Sequence, residues 1–350
     1  MQVMRKLIFC LLAFWISGGV WAHHSMTWHF DRDQEITIEG VIREFRFVNP
    51  HGRIVLDVTD DSGNVELWDC ELNGAASAAR NGWTADLFQK GQQIVVTGFV
   101  ARRNERECYY QSGVLSDGTR IGRGEQIEGG VTVASLSVER SSTVGSSNVP
   151  NFGGVWRGTG PFSGPPGPGG ENPHSWVLSE AGRRVLDAYD PVAEDPSLKC
   201  RPVSIRRLWS NGSPTEIRQE DDVVIIHHEW MDAERTVYLN QPEHPEDLAE
   251  GALGHSIGWY EGRTLVIDTV GYESGVIYQF PGLPHSNQLH TVERLILSED
   301  QQAFDITWVA EDPEYFVDSL SGTHSWAATN IPVREYNCVH PELGVVDTEN

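Results

Sequence analysis

The sequence predicts an all-β protein: an OB-like five-stranded barrel followed by a larger antiparallel, lipocalin-like barrel with one or two short helices. Three observations carry this. Apolar and polar residues alternate from Glu35 to Leu115, in runs separated by the turn clusters Asn49-Pro50-His51-Gly52 and Asp60-Asp61-Ser62-Gly63. A single Ala-rich stretch, Gly74 to Gly82, interrupts the runs after the third. Beyond Thr215, short strand-like runs repeat at hairpin spacing with acidic or Gly-bearing turns between them.

Taken in order, the first strands are Ile36–Val48, Arg53–Thr59 and Val65–Leu72. The short helix over Gly74–Gly82 closes on Asn-Gly, and strands over Gln92–Arg102 and Tyr109–Leu115 follow. Three strands, a helix and two strands is the order of an OB-type barrel. Glu139–Pro150 is Ser/Thr-rich and lacks apolar periodicity, so it reads as a linker. A second unit opens at Phe152-Gly153-Gly154-Val155-Trp156, and the Gly/Pro-rich stretch Gly158–Pro173 reads as a loop. Glu180–Tyr189 has helical spacing with Ser179 as N-cap. Strands then fall at Val223–Trp230, Arg235–Leu239, Ser256–Tyr260, Thr264–Val270, Leu289–Leu297 and Phe304–Val309. The expected organisation is a signal peptide over 1–22, an OB-like domain over 23–138, a linker over 139–150, a barrel domain over 151–342 and a disordered tail over 343–350.

The leader reading rests on Arg5 and Lys6, an apolar stretch from Leu7 to Ile16, and Val20 and Ala22 at the −3 and −1 positions of a cleavage site. That stretch is too short to span a bilayer, and nothing after it is apolar for long enough. The expectation is a periplasmic or secreted protein without membrane insertion. Loss of Arg5 and Lys6 with the leader takes the formal charge from −24 to −26. So acidic a chain repels phosphate backbones, which excludes nucleic acid as a partner and favours small molecules or cations. Four cysteines follow the leader, and an oxidising compartment predicts the disulfides Cys70–Cys108 and Cys200–Cys338.

Two constellations carry chemistry. Cleavage after Ala22 leaves His23 at the mature N-terminus, and its amine and ring together suit copper(II). His51, in the Asn-Pro-His turn, is the natural third nitrogen, with His24 and His29 close by in sequence. The competing reading makes His23 and His24 a solvated terminus and His51 a turn residue.

The second constellation is His255, Asp268, His285 and His290, with Glu293 and Arg294 as orienting groups. Histidine beside carboxylate is equipment for proton transfer near neutral pH. Strand alternation puts His290 and Arg294 on one face and Glu293 on the other, and admits only one of His227 and His228 to the interior. Trp230, Trp259, Tyr278 and Trp308 are expected to line the barrel around a flat apolar molecule. The chain holds no G-x-S-x-G elbow, Walker A sequence, H-E-x-x-H motif or dinucleotide fingerprint, which argues against the usual serine hydrolases, NTPases, zincins and NAD enzymes.

Ala22-His23-His24-Ser25, the run Glu39–His51, Asn81-Gly82-Trp83 and Lys90–Gly98 resemble a family of small exported bacterial proteins of unknown function, over about residues 22–120. The run Gly254–Thr269, Pro284-His285-Ser286 and Glu293-Arg294 resemble a second uncharacterised exported family, over about residues 151–340. Its pattern continues Gly-His-Ser-Ile-Gly with Arg-Trp-Glu-Gly-Asp, from which Trp259-Tyr260-Glu261-Gly262-Arg263 departs. The resemblances imply an exported two-domain protein and place His23, His24 and His51 in a family motif; neither implies an activity. The function expected is binding of a small ligand in the envelope, with copper at the mature N-terminus. An acid–base enzyme of lyase, hydratase or isomerase type, acting on an apolar molecule in the second barrel, is the alternative, and a passive envelope module is the third reading.

Overall fold

The computed structural model describes residues 29–127, 149–163, 178–190, 193–202, 204–210, 212–278 and 282–339. The expected leader, His23, His24, most of the expected linker and the 343–350 tail lie outside the described residues.

The N-terminal part is built from β1 (Phe30–Arg46), β2 (Arg53–Thr59), β3 (Val65–Glu71), α1 (Ala75–Arg80), β4 (Gln93–Ala101), β5 (Glu107–Leu115) and β6 (Arg120–Gly122). The sheet runs β3-β2-β1-β4-β5-β6, and β3 also pairs with β5 in parallel, so the first five strands close on themselves. With α1 between β3 and β4, this is the OB arrangement. β1 serves two partners because its register with β2 shifts between Ile42 and Glu44, a bulge that bends the strand between β2 and β4. Period-2 alternation turns Ile38, Ile42, Ile54, Leu56, Ile94 and Val96 inward, against Trp83 and Tyr110. The Cys70–Cys108 disulfide ties β3 to β5 at a register pair of the closing seam.

The C-terminal part comprises β7 (Gly154–Ser163), α2 (Glu180–Ala188), α3 (Ile205–Ser210), β8 (Thr215–Gln219), β9 (Val223–His228), β10 (Ala233–Tyr238), β11 (His255–Glu261), β12 (Thr264–Val270), β13 (Gly275–Tyr278), β14 (Leu283–His285), β15 (His290–Leu297), β16 (Ala303–Glu311) and β17 (Leu320–Ala328). Nine of these strands close as β10-β11-β12-β15-β16-β17-β7-β8-β9, while β13 and β14 form a separate hairpin. An odd-numbered ring cannot alternate direction throughout; the one parallel pair is β10–β11. Among the described residues this part has the two short helices α2 and α3, as expected, and Ser179 caps α2, its hydroxyl accepting from Gly182 N at 3.1 Å. The expected loop from Gly158 is strand as far as Ser163.

Both disulfides form as predicted. Cys200–Cys338 fastens the C-terminal segment, which then lies against the first sheet: Val339 N donates to Asn49 O at 2.7 Å and Asn49 Nδ2 to Tyr336 O at 2.5 Å. Ala76 of α1 packs with Leu208, Trp230, Met231 and Tyr336, and Arg80 bonds the fully buried Glu229 carboxylate. Among the described residues no helix is long and apolar enough to cross a membrane.

Candidate functional site

The barrel interior is packed. Alternation sends Trp156, Ile226, Ile267, Leu295, Phe304 and Trp326 inward, and α3 inserts Trp209 among them. Trp209 lies 4.6 Å from the His228 ring and 5.1 Å from Trp326, centre to centre. Its indole N–H donates to Glu293 Oε1 at 2.6 Å, and Arg235 bonds the other oxygen of that carboxylate. Glu293 and Arg235 are 1% and 3% exposed, so this is a buried ion pair. The open space beside it, bounded by Trp209, Tyr272, Thr291, Glu293 and Trp308, is about 20 Å³. That is room for about one water molecule.

The expected apolar ligand chamber is therefore corrected. Of its four aromatics, only Trp308 borders the interior space. Trp259 is 42% exposed on the outer wall, because Ser256 and Gly258 of the same strand take the inward phase. Trp230 belongs to the cluster that meets α1, and the Tyr278 side chain lies outside the described residues. His228 is the inward member of its pair, as alternation requires, with Thr215 Oγ1 2.9 Å from its Nδ1.

The predicted catalytic residues divide into two groups. His255, Asp268 and His290 do converge, on the outer wall of the barrel, and His244 from the β10–β11 connection joins them. His244 Nε2 lies 2.9 Å from Asp268 Oδ1 and His244 Nδ1 lies 2.8 Å from His255 Nδ1. His290 Nε2 stands 3.0 and 3.1 Å from the two Asp268 oxygens. With Asp268 ionised, His244 donates from Nε2 and accepts a hydrogen bond from His255 Nδ1–H at its own Nδ1, which leaves His255 Nε2 as a base. Hydrogen bonding to Asp268 raises the His290 pKa; burial, and then the charge of His244, lowers that of His255. Burial works to raise the Asp268 pKa, but the bonds from His290 and His244 outweigh it and hold it low.

His285, Glu293 and Arg294 do not join this array. His285 is buried in β14, its Nδ1 donating to Ser286 O at 3.0 Å, while Ser286 is held by Asp312. Glu293 faces the interior, as its alternation phase dictates. Arg294 pairs with exposed Glu261 on the outer surface. Nor does the array adjoin the interior space, which Glu293 alone of the predicted catalytic residues borders.

Within the Gly-His-Ser-Ile-Gly run four of the five residues have a structural reason. Gly254 takes φ +62°, and a Cβ there would stand 2.5 Å from Val270 O. His255 belongs to the array, Ser256 bonds Thr269 inside the barrel at 2.9 Å, and a Cβ at Gly258 would meet Val237 at 2.6 Å.

At the N-terminal barrel, His51 Nδ1 lies 3.0 Å from Glu71 Oε1. Arg53 links Glu71 (3.5 Å), Asp69 (3.3 Å) and Glu107 (2.8 Å), and Glu107 reaches His29 Nε2 at 3.1 Å. The first described residue thus stands at the same charged corner as His51. Burial opposes ionisation of Glu71, yet the charge and hydrogen bond of His51, with Arg53, lower its pKa to about 2. The same Glu71 raises His51 against its own desolvation. Among the described residues no group of three or more His, Cys, Asp or Glu side chains is placed to hold a metal ion.

On the outer face of β1, β2 and β3 lies an open groove of about 820 Å³. Leu67 and half-buried Phe45 are its exposed apolar members, while Val55 and Phe88 (5% and 3% exposed) border it from within the fold. Charged side chains edge it: Arg43 pairs with Asp57 at 2.8 Å and Arg46 with Glu44 at 2.7 Å.

Residues 13–109 match the model of a family of unknown function (DUF6152). No curated protein matches the chain. Among solved structures, a mutant of the fluorescent protein UnaG is similar to 51% of this chain and 95% of its own, at 14% identity and a TM-score of 0.24, too low to carry an argument.

Sequence reasoning missed His244, Arg235, Trp209 and the groove. Arg235 was accessible to it: Ala233, Arg235 and Val237 share one strand phase, so an inward arginine was implied. His244 sits in a connection without periodicity, and nothing in its neighbourhood signals the contact.

Proposed function

We propose that this is an exported small-ligand-binding protein and that its ligand occupies the groove on the β1–β2–β3 face. One observation carries the reading: the groove offers about 820 Å³, against about 430 Å³ for a cleft beside α2 bordered by Tyr189 and Tyr315 and about 20 Å³ inside the second barrel. Ligand sites span about 300–1,000 Å³, which rejects the barrel interior, and of the two open spaces that remain the groove is the larger. Two disulfides support action in an oxidising compartment. Leu67→Trp and Trp308→Phe separate the sites. In a thermal-shift screen, ligands that stabilise the wild type lose their effect in Leu67→Trp and keep it in Trp308→Phe. The reverse pattern refutes the assignment.

Copper(II) at the mature N-terminus is a second reading, favoured by the His51–Glu71 contact. A carboxylate on Nδ1 fixes the tautomer and leaves Nε2 as the donor, the second-shell arrangement of metal-bound histidines. His29 at the same corner brings the chain start within reach, since six residues extend to about 20 Å. Titration of protein with its native N-terminus, followed by paramagnetic resonance, tests this. Binding is expected to weaken in His51→Ala and to vanish when a residue precedes His23; equal binding with an added Met defeats the amine–imidazole site.

The acid–base alternative rests on His255, Asp268 and His290 with His244, and requires a substrate that reaches the outer wall. The second family resemblance, around Gly254–Thr269, belongs with these proposals.

A further inference from the structure

We infer that the β10–β11 connection, residues 239–254, is an acid-released strap on the outer wall of the second barrel, latched by the contact between His244 and His255. The topology makes it a strap. β10 and β11 are parallel neighbours, with Val237 beside Ser256 and Tyr238 beside Ile257. The chain leaving Tyr238 must travel back before it enters β11 at His255, and because the barrel interior is filled it does so outside. Backbone bonds fasten its two ends: Leu239 N donates to Asp222 O at 2.8 Å and Gly251 N to Gly271 O at 3.1 Å. From Asn240 to Ala249, the hydrogen bonds to the barrel wall among the described residues are the two that His244 makes.

The latch counts protons. His244 Nδ1 and His255 Nδ1 lie 2.8 Å apart, so one nitrogen donates and the other must keep a lone pair. With both rings neutral, or with one added proton between them, the contact holds. A second proton sets N–H against N–H, and two imidazolium charges then repel. The surrounding groups decide when this happens. Tyr238 of β10 stacks on His255 with ring centres 5.1 Å apart, and Asp268 of β12 holds His244 Nε2 at 2.9 Å. His290 of β15 bonds the same carboxylate, and Glu311 of β16 stands opposite His290. Asp268 thus favours the first proton but is already shared with His290 when the second arrives. Burial, then the charge of His244, lowers His255, so the latch is complete above pH 6.5 and lost as pH falls through that lowered value. His255 is fixed in β11, so the connection is the part that moves.

Its release changes what the outer wall presents. One row of outward-facing residues crosses that wall: Tyr238, Ile257, Asp268, Val292 and Val309. Val309, far from the latch, is 39% exposed, and Trp259 on the same face is 42% exposed. Ile257 has the same outward phase but lies beside the latch, and it is 6% exposed. The connection is the segment that passes over it. In acid the strap therefore bares Ile257 and enlarges the apolar surface that Val292, Val309 and Trp259 begin, the kind of surface on which other molecules dock.

The test is hydroxyl-radical labelling of the full chain with disulfides intact, read residue by residue by mass spectrometry at pH about 7.5 and about 5, on either side of the ordinary histidine pKa. Val309 serves as the exposed standard and Ile306, fully buried in the core, as the control for unfolding. The expected result is labelling of Ile257 that rises about fivefold in acid while Ile306 stays unlabelled, the mark of local opening. His255→Asn keeps a neutral N–H donor at the Nδ1 position and takes no proton, so Ile257 should stay covered at both pH values. His244→Ala removes the latch from the connection itself, and Ile257 should then be labelled at both. Labelling of Ile257 that ignores pH, that rises only together with Ile306, or that rises equally in His255→Asn overturns the inference. So does a His244→Ala protein in which Ile257 stays as covered as in the wild type.

Discussion

Replacing Glu293 with leucine removes the acceptor that holds two buried donors, the Trp209 indole and the Arg235 guanidinium. Arg235 Nε and Nη2 already lack hydrogen-bond partners, so the variant leaves a 3%-exposed cation with nothing to neutralise it. Breaking one side of a buried pair costs about 3–5 kcal/mol. For a folding unit the size of this barrel, each kcal/mol moves Tm by about 2–4 °C, so the barrel transition should fall by roughly 6–20 °C. The double variant Glu293→Leu/Arg235→Met removes the orphaned charge as well and should regain most of that loss, since well-packed apolar replacements of buried pairs are often neutral or better. Scanning calorimetry at pH 7 with disulfides intact reads both. A single variant within about 1 kcal/mol of wild type, or a double variant no more stable than the single, refutes the structural role given to Glu293 and returns it to the list of reactive carboxylates.

Three further outcomes follow from the same structure. Glu71 is depressed from 4.5 to about 2, so its stabilising contribution is complete above pH 4.5 and lost as pH falls through about 2. Glu71→Gln should therefore flatten the acid limb of a stability–pH curve, and an unchanged limb defeats the pairing. In the outer-wall array, His290 is raised and its contribution disappears as pH rises through its folded value; His255 is lowered and its contribution disappears as pH falls below 6.5. Proton NMR should find His290 titrating above 6.5 and His255 below; a common midpoint removes the array. Loop closure over 138 residues predicts up to about 5 kcal/mol for Cys200–Cys338, against about 4 kcal/mol over 38 residues for Cys70–Cys108. Urea denaturation of Cys338→Ala and Cys108→Ala should rank in that order, and the opposite ranking contradicts the entropic account.

The first barrel was legible because each of its central strands buries one face. Ile54 and Leu56 against Arg53 and Asp57 is a pattern that only a half-buried strand produces, and β2 was placed residue for residue. The start of β1 was not legible, because Asp33, Gln34 and Glu35 are exposed and no alternation marks them as strand. β7 reads as loop because it is Gly-rich. The structure shows why one glycine is needed: a Cβ at Gly158 would stand 2.6 Å from the His324 ring. β17 places Leu320, Gly322, His324 and Trp326 along its inward phase, a sequence too mixed to register as apolar.

Among the candidate site residues, Asp268 and His290 were legible as chemistry but not as neighbours. They meet because Asp268 pairs with Val292, two residues beyond His290 on the same face, a register that no local pattern specifies. His285 was misplaced for the same kind of reason, since it lies in a hairpin outside the barrel ring.

The barrel ring closes between β7, its first strand in sequence, and β17, its last. A chain delivered from its N-terminus therefore has no complete barrel at any earlier moment: more than 150 residues must arrive before the seam can form. Until then β7 presents an unpaired edge, the kind of surface most prone to join with other chains. Contacts of such sequence separation also slow folding, because the loop must close before any pairing offsets its entropy. Cys200 waits longer still, for a partner beyond the last strand. Its sulfur passes the whole of that interval within reach of wrong partners, and the final oxidation fastens the C-terminal segment only after the ring is made.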